Sequence, residues 1–367
     1  MNIAHIGDAH LGYRQYGSRQ RELDFIAALT RAVDSIVANK CEMAIWPGDL
    51  FDCPRPGPEA VAAVRRLVGR LTATGCLSVG IDGNHDMDPA GSWLEVCGIT
   101  NLENLPDNSV SPQPGLRIAG FRYRRPSDML ATLLEWSTTM QEAGTVPVDI
   151  VVLHQLLGDM VPFGSEIMTA GVLSTIFAPL GVRYVAMGDC HAYLDATANG
   201  VRYVYPGSLE MTDINEDRDK VFSLVKIDER TLEVSGVPVQ TRPIVERTID
   251  TEEDLQGLVA EKFSVEPLLV VRVNAALADA KSRIYSRFNE LPIKLHVYTT
   301  DSELAEVFET PAWEREQAAV GLGAAIDSSF KPATDENQLV RRCLESPDNL
   351  GAIIDEYLNQ KGITNAR

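Results

Sequence analysis

Five short blocks constrain this chain more than any other feature: Asp8-Ala9-His10, Gly48-Asp49-Leu50-Phe51-Asp52, Gly83-Asn84-His85-Asp86, His154, and Gly188-Asp189-Cys190-His191. Each follows a short apolar run with the character of a β-strand: Ile3 to Ile6, Met43 to Trp46, Leu77 to Ile81, Ile150 to Leu153 and Tyr184 to Met187. Asp, Asn and His supply the oxygen and nitrogen donors that divalent manganese, iron or zinc accept. Between the strands lie one-sided helical patterns, with Ile26, Leu29, Val33, Ile36 and Val37 in the first and Val61, Val64, Leu67, Val68 and Leu71 in the second. Strand alternating with helix predicts an α/β sheet whose candidate ligands gather beyond the C-terminal strand ends.

Val201 to Tyr205 and Val221 to Ile227 read as further strands around the Pro206-Gly207 turn. They predict a second sheet packed behind the first, giving a four-layer αββα sandwich over residues 1–234. Strand-like Leu268 to Val273 and Ile293 to Tyr298 bracket a helical stretch near Leu277 to Asn289, which predicts a small α+β cap domain over 235–305. Residues 306–367 read as a helical tail. Its last helix opens on Ser346 and Pro347 and carries Leu350, Ile353, Ile354, Tyr357 and Leu358 on one face.

Composition limits the alternatives. No apolar run approaches the ~18 residues that span a bilayer, and Met1 to Ile6 lacks the basic-then-apolar order of a cleaved signal. Six cysteines without CxxC spacing argue against a zinc ribbon or a disulfide framework and for a reduced, cytoplasmic setting. The net charge of -19 opposes a simple nucleic-acid binder, because phosphate contacts call for a basic surface. With only 8 Lys among 33 basic residues, an acidic surface adapted to a saline cytoplasm is one competing explanation of the charge.

Taken singly, the blocks are weak signals: Asp8-x-His10 is common, Asp49 could cap a helix, and His154 could be a satisfied core histidine. Their conjunction is what points to a two-metal site, and four of the six histidines fall in it. Asp49 is the candidate bridge, since one carboxylate can reach two cations. Asp8 with His10, and Asp189 with His191, share an i, i+2 spacing that turns both side chains of a pair the same way, and Cys190 away from them.

The set resembles the calcineurin-like metallophosphoesterases. The stretch Leu11-Gly12-Tyr13-Arg14-Gln15-Tyr16, then Arg21 and Asp24-Phe25, and later Tyr205-Pro206-Gly207-Ser208-Leu209-Glu210, is similar to the Mre/SbcD-type double-strand-break repair nucleases, particularly the archaeal ones. The resemblance covers about residues 1 to 230 and implies one metal on Asp8, His10, Asp49 and His191. It implies a second on Asp49, Asn84, His154 and Asp189. It further implies that His85 acts on the leaving oxygen with Asp52 orienting it, and that the metals are two divalent ions, manganese first, with iron or zinc as alternatives. The implied activity is 3'-5' exonuclease and single-strand endonuclease cleavage of DNA. Its partners would be an SMC-like coiled-coil ATPase of the SbcC type, docked on the C-terminal helix, and a second copy of the chain. The dimer would pair near the helices after residues 57 and 91. Asp189 departs from the pattern, which places His there, and so puts the second metal in question. Two other readings stand beside the nuclease. One is a phosphatase or another phosphodiesterase of the same fold, against which Cys53-Pro54 after Asp52 departs from the usual GDxxDRG form. The other is a DNA-tethering scaffold with a weakened site.

Overall fold

Alternate residues of the central strands enter different cores, and that alternation builds the layers. The computed structural model describes residues 1–144 and 147–298. The chain begins β1 (Asn2–His5), α1 (Arg19–Ala38), β2 (Met43–Trp46), α2 (Pro58–Ala73), β3 (Leu77–Gly80), α3 (Trp93–Cys97) and β4 (Thr100–Asn101). It continues β5 (Ser109–Gln113), β6 (Leu116–Phe121), α4 (Pro126–Glu142), β7 (Ile150–His154), α5 (Ala170–Phe177), β8 (Tyr184–Gly188), β9 (Leu194–Ala198) and β10 (Val201–Tyr205). Then come β11 (Val221–Ile227), β12 (Leu232–Pro238), β13 (Ile244–Ile249), α6 (Glu252–Ala260), β14 (Leu268–Asn274), α7 (Ala280–Arg287) and β15 (Ile293–Tyr298).

Two six-stranded sheets result, ordered β12-β11-β1-β2-β3-β4 and β5-β6-β7-β8-β10-β9. Ile3, Met43, Ile45, Val79, Ile118, Ile150, Val152 and Tyr184 fill the space between them. Their strand neighbours Ala4, Ala44 and Trp46 face outward against Phe25, Leu29 and Val33 of α1 and Val64 and Leu67 of α2. Val151 and Leu153 do the same on the other side, against Met129 and Leu133 of α4 and Leu173 and Phe177 of α5. Strands covered on both faces need apolar residues at every position, which is why these runs are continuous. This is the expected αββα sandwich.

β1 to β4 run parallel, and so do β6, β7, β8 and β10, so each sheet presents its strand C-termini along one edge. His5 ties the two sheets together inside this core. It donates from Nε2 to the Met187 carbonyl at 3.1 Å and accepts the Tyr184 hydroxyl at Nδ1, 2.8 Å.

The expected boundary at 234/235 falls inside β12, which pairs with β11 from Leu232 to Pro238. The first sheet therefore ends at Pro238. Beyond it, β13, β14 and β15 are parallel and wound βαβαβ through α6 and α7. The sequence predicts β14, α7 and β15 of this small α+β unit; β13 carries the exposed, charged Glu246 and Arg247, which interrupt an apolar strand pattern. The helical tail expected over 306–367 lies outside the described residues. No helix among the described residues is long and apolar enough to cross a membrane.

Candidate metal centre

All five blocks meet at the common edge of the two sheets, and their backbones are tied to one another before any side chain is considered. Ala9 and His10 both donate their amides to the Asp49 carbonyl at 3.0 Å. The His85 amide donates to Asp49 Oδ1 at 2.9 Å, and the Asp189 amide to Asp8 Oδ1 at 3.1 Å. His10, Asp49 and Asp189 hold left-handed backbone, with φ of 44°, 48° and 86°. Strain of that kind costs on the order of 1–3 kcal/mol per residue and concentrates where side chains must be aimed. Gly48 makes the turn possible. Its φ is +105°, and a Cβ there would lie 2.4 Å from His154 Nδ1.

Asp49 Oδ2 stands between two groups of donors. On one side is His10 Nε2 at 3.7 Å, itself 3.1 Å from His191 Nε2. On the other is His154 Nε2 at 3.4 Å, which also faces Asn84 Oδ1 at 2.8 Å and Asp189 Oδ1 at 3.7 Å. Asp8 completes the buried group with Asp49 and His154. Each expected ligand thus lies at the site, Asp189 included.

The tautomers can be read from the partners. His154 donates Nδ1–H to the Pro47 carbonyl at 2.7 Å, and His191 donates Nδ1–H to Glu216 Oε1 at 2.9 Å. Both rings then turn an Nε2 lone pair inward, as metal-binding imidazoles backed by a carbonyl or carboxylate do. Lone pairs this close repel unless a proton or a metal cation lies among them. Burial would depress the basicity of His154, yet the charges of Asp49, Asp189 and Asp8 outweigh it and hold the ring well above its ordinary value. Burial and the Asp8 and Asp49 charges push Asp189 up to about 6, although His154 pulls the other way. Asp8 Oδ2 and His10 Nδ1 are buried without a hydrogen-bond partner. Surplus carboxylate, inward imidazole nitrogens and the unpartnered Asp8 Oδ2 are what a pair of divalent cations would satisfy.

Asp52 lies against His85, as expected, through its main chain. Its main-chain carbonyl, not its carboxylate, accepts from His85 Nδ1 at 3.1 Å, while the carboxylate faces His10 Nδ1 at 3.5 Å. His85 itself is exposed at the rim. Cys190 packs toward the outer core of the second sheet, away from both neighbours' site, as alternation predicts.

Two residues were missed. Asp86 accepts the amides of Gly83 and Leu50, both at 2.7 Å, and so fixes the Asp49 loop against the Asn84 loop. Burial, then the charges of Asp49 and Asp82, push its carboxyl up to about 7. It lay in plain view within the Gly83 block. Glu216 had no such signal, since it lies 25 residues beyond His191 in an acidic loop. Burial favours its neutral form, but the His191 hydrogen bond and the Lys220 charge outweigh that and hold it well below the usual carboxylate range.

The model of the calcineurin-like phosphoesterase family matches residues 1–193. The chain belongs to that family. Among curated relatives, the phosphoesterase is 26% identical to the DNA double-strand break repair protein Mre11 of Methanosarcina acetivorans, over 97% of this chain and 59% of that protein. It is 26% identical to Mre11 of Methanosarcina mazei over 69% of this chain and 41% of that one. Against Mre11 of Methanococcus maripaludis the identity is 24%, over 84% and 86%. The chain therefore spans about half the length of the two Methanosarcina proteins. Among solved structures, a dimetal phosphatase from Danio rerio aligns with a TM-score of 0.45 at 12% identity, covering 66% of this chain and 99% of that one.

Proposed function

We propose that this phosphoesterase is a two-metal DNA nuclease of double-strand-break repair, cleaving phosphodiester bonds as a 3'-5' exonuclease and single-strand endonuclease. The observation that carries the reading is Asp49 Oδ2, placed 3.7 Å from His10 Nε2 and 3.4 Å from His154 Nε2, a shared carboxylate between two donor groups. The curated relatives, each described as a DNA double-strand break repair protein, support DNA as the substrate. Asp8, His10, Asp49 and His191 would hold one cation, and Asp49, Asn84, His154 and Asp189 the other. The oxygen-rich donor set suits manganese, with iron or zinc as alternatives. Bound there, two divalent ions supply Lewis acidity at phosphorus and an activated water for in-line displacement.

The chain's own residues do the rest. His85, fixed by its hydrogen bond to the Asp52 carbonyl, keeps Nε2 for substrate and, when protonated, gives a proton to the departing oxygen. Asp86 keeps the Asp49 carboxylate and the Asn84 amide in register. The unit from 244 to 298 would act as the cap that positions DNA. An SMC-like ATPase and a second copy of the chain, pairing through α2 and α3, would complete the DNA surface that a net charge of -19 cannot supply alone.

A nuclease assay on end-labelled duplex with manganese tests this. Wild type should shorten the 3' strand, and Asp49→Asn should lose both activity and manganese. His85→Gln should keep manganese while turnover falls about 10²–10⁴-fold. Full activity in Asp49→Asn, or better turnover of a phosphoprotein than of DNA, would overturn the reading.

A further inference from the structure

The 244–298 unit is connected to the metal-facing His191 by a line of hydrogen bonds that is fully buried in its middle, at Arg21 and Gln15, and half-buried at its Thr212 end. Arg242, in the segment that enters this unit, donates from Nε and Nη2 to both oxygens of Asp24, at 2.6 and 2.7 Å. Both side chains are more than nine-tenths buried. Asp24 Oδ2 also accepts Arg21 Nη1 at 2.8 Å. Arg21 is fully buried, and its Nε donates to Gln15 Oε1 at 2.7 Å. Gln15, also fully buried, donates to the Thr212 carbonyl at 2.6 Å. The Thr212 hydroxyl lies 2.8 Å from His191 Nδ1 and hydrogen-bonds Glu216, the carboxylate behind that ring.

A second contact falls on the same loop. Lys294 of β15 places its ammonium 5.2 Å from the centre of the Tyr16 ring, next to Gln15. The loop that holds Gln15 and Tyr16 continues the Asp8–His10 block along the chain, while the hydrogen-bonded line itself ends on His191, whose Nε2 lies 3.1 Å from His10 Nε2. The Arg218 to Glu246 pair joins the same two parts of the molecule on an exposed surface, and Arg218 lies in the loop of Glu216 and Lys220, its carbonyl accepting the Lys220 amide at 3.1 Å.

Buried, fully paired groups couple more strongly than exposed ones, because removing one member leaves its neighbours unsatisfied where water cannot replace it. Arg21 Nη2 is anchored on Glu210 and the Met211 carbonyl, at 3.1 and 2.9 Å, so cutting the Arg242–Asp24 pair lets Asp24 turn the guanidinium about that anchor and loosen its bond to Gln15, which sets the Thr212 backbone. We infer that Arg242 and Asp24 are positioning residues for the His10/His191 donor group. Through them, the seating of the 244–298 unit sets the affinity of that group for its cation. This rests on the two-metal reading above.

The test is manganese binding to the full chain, followed by the electron paramagnetic resonance signal of the free ion, which is independent of turnover. Wild type should show two binding steps. In Arg242→Gln one step should weaken about tenfold, the lower end for groups that orient a metal ligand, with the other step unchanged. Arg242→Lys, which keeps charge but not the two-pronged geometry, should weaken the same step less; it gives the reading if Arg242→Gln does not fold. Arg283→Gln, which cuts the exposed Arg283 to Glu252 pair within the 244–298 unit, should leave both steps at wild-type values. Equal values for Arg242→Gln and Arg283→Gln, or equal weakening of both steps, overturn the inference while leaving the two-metal reading intact. Absence of manganese binding in wild type overturns both.

Discussion

Asp189 is the residue at which this site has its own character. Its carboxylate sits 3.7 Å from His154 Nε2, so the shorter side chain does reach the second donor group, helped by a backbone φ of 86°. What it changes is charge. With Asp8 and Asp49 already present, a third carboxylate makes the group harder and more anionic than an imidazole would. Asp189→His should therefore retain two metals, since His also tolerates left-handed backbone, and should move preference from manganese toward zinc. Competition dialysis against equimolar manganese and zinc reads that shift; an unchanged metal ratio would contradict it.

At the scale of elements, short turns and buried cross-ties hold the strand ends in place. Gly48 allows β2 to turn directly under His154. Gly48→Ala would place a methyl 2.4 Å from His154 Nδ1 and 2.7 Å from the Gly83 Cα, in backbone that alanine resists. The variant should lose about 3 kcal/mol or more of stability in urea unfolding, together with manganese binding. His5 joins β1 of one sheet to β8 of the other as a neutral ring. Burial lowers its pKa from 6.5 to about 3, the Met187 carbonyl opposing only in part. Between those values the unfolded chain binds the proton and the folded one does not, so stability is complete above pH 6.5 and declines as pH falls. Lowering the pH from 7.5 to 5 should cost wild type about 2 kcal/mol more than His5→Gln, whose amide keeps one acceptor and one donor. Parallel urea curves for the two proteins at both pH values would refute this.

At the scale of the whole molecule the net charge of -19 works against compaction. Added salt screens that repulsion within about 10 Å at 0.1 M and less as it rises. It also weakens exposed pairs such as Arg70 with Asp34 and Arg283 with Glu252, but each of these contributes at most about 1 kcal/mol. The imbalance prevails. The melting temperature should rise from 0.05 to 1 M potassium chloride, and a fall would show that the surface pairs carry more than the excess charge.

Asp8, His10, Asp49, Asn84, His85, His154, Asp189 and His191 were all legible in the sequence, because each follows a short apolar strand and a parallel sheet presents its strand ends along one edge. The αββα layering was legible in the alternation along Val201 to Tyr205 and Val221 to Ile227, which pointed to a second sheet behind the first. What only the tertiary structure decided were the partners that join segments far apart in the chain. Glu216 behind His191, the carbonyl rather than the carboxylate of Asp52 beneath His85, and the path from Arg242 to Thr212 leave no periodic trace. Hydrogen-bonding side chains in loops are chosen by where the folded backbone brings them, whereas apolar spacing is imposed by the strand and helix themselves.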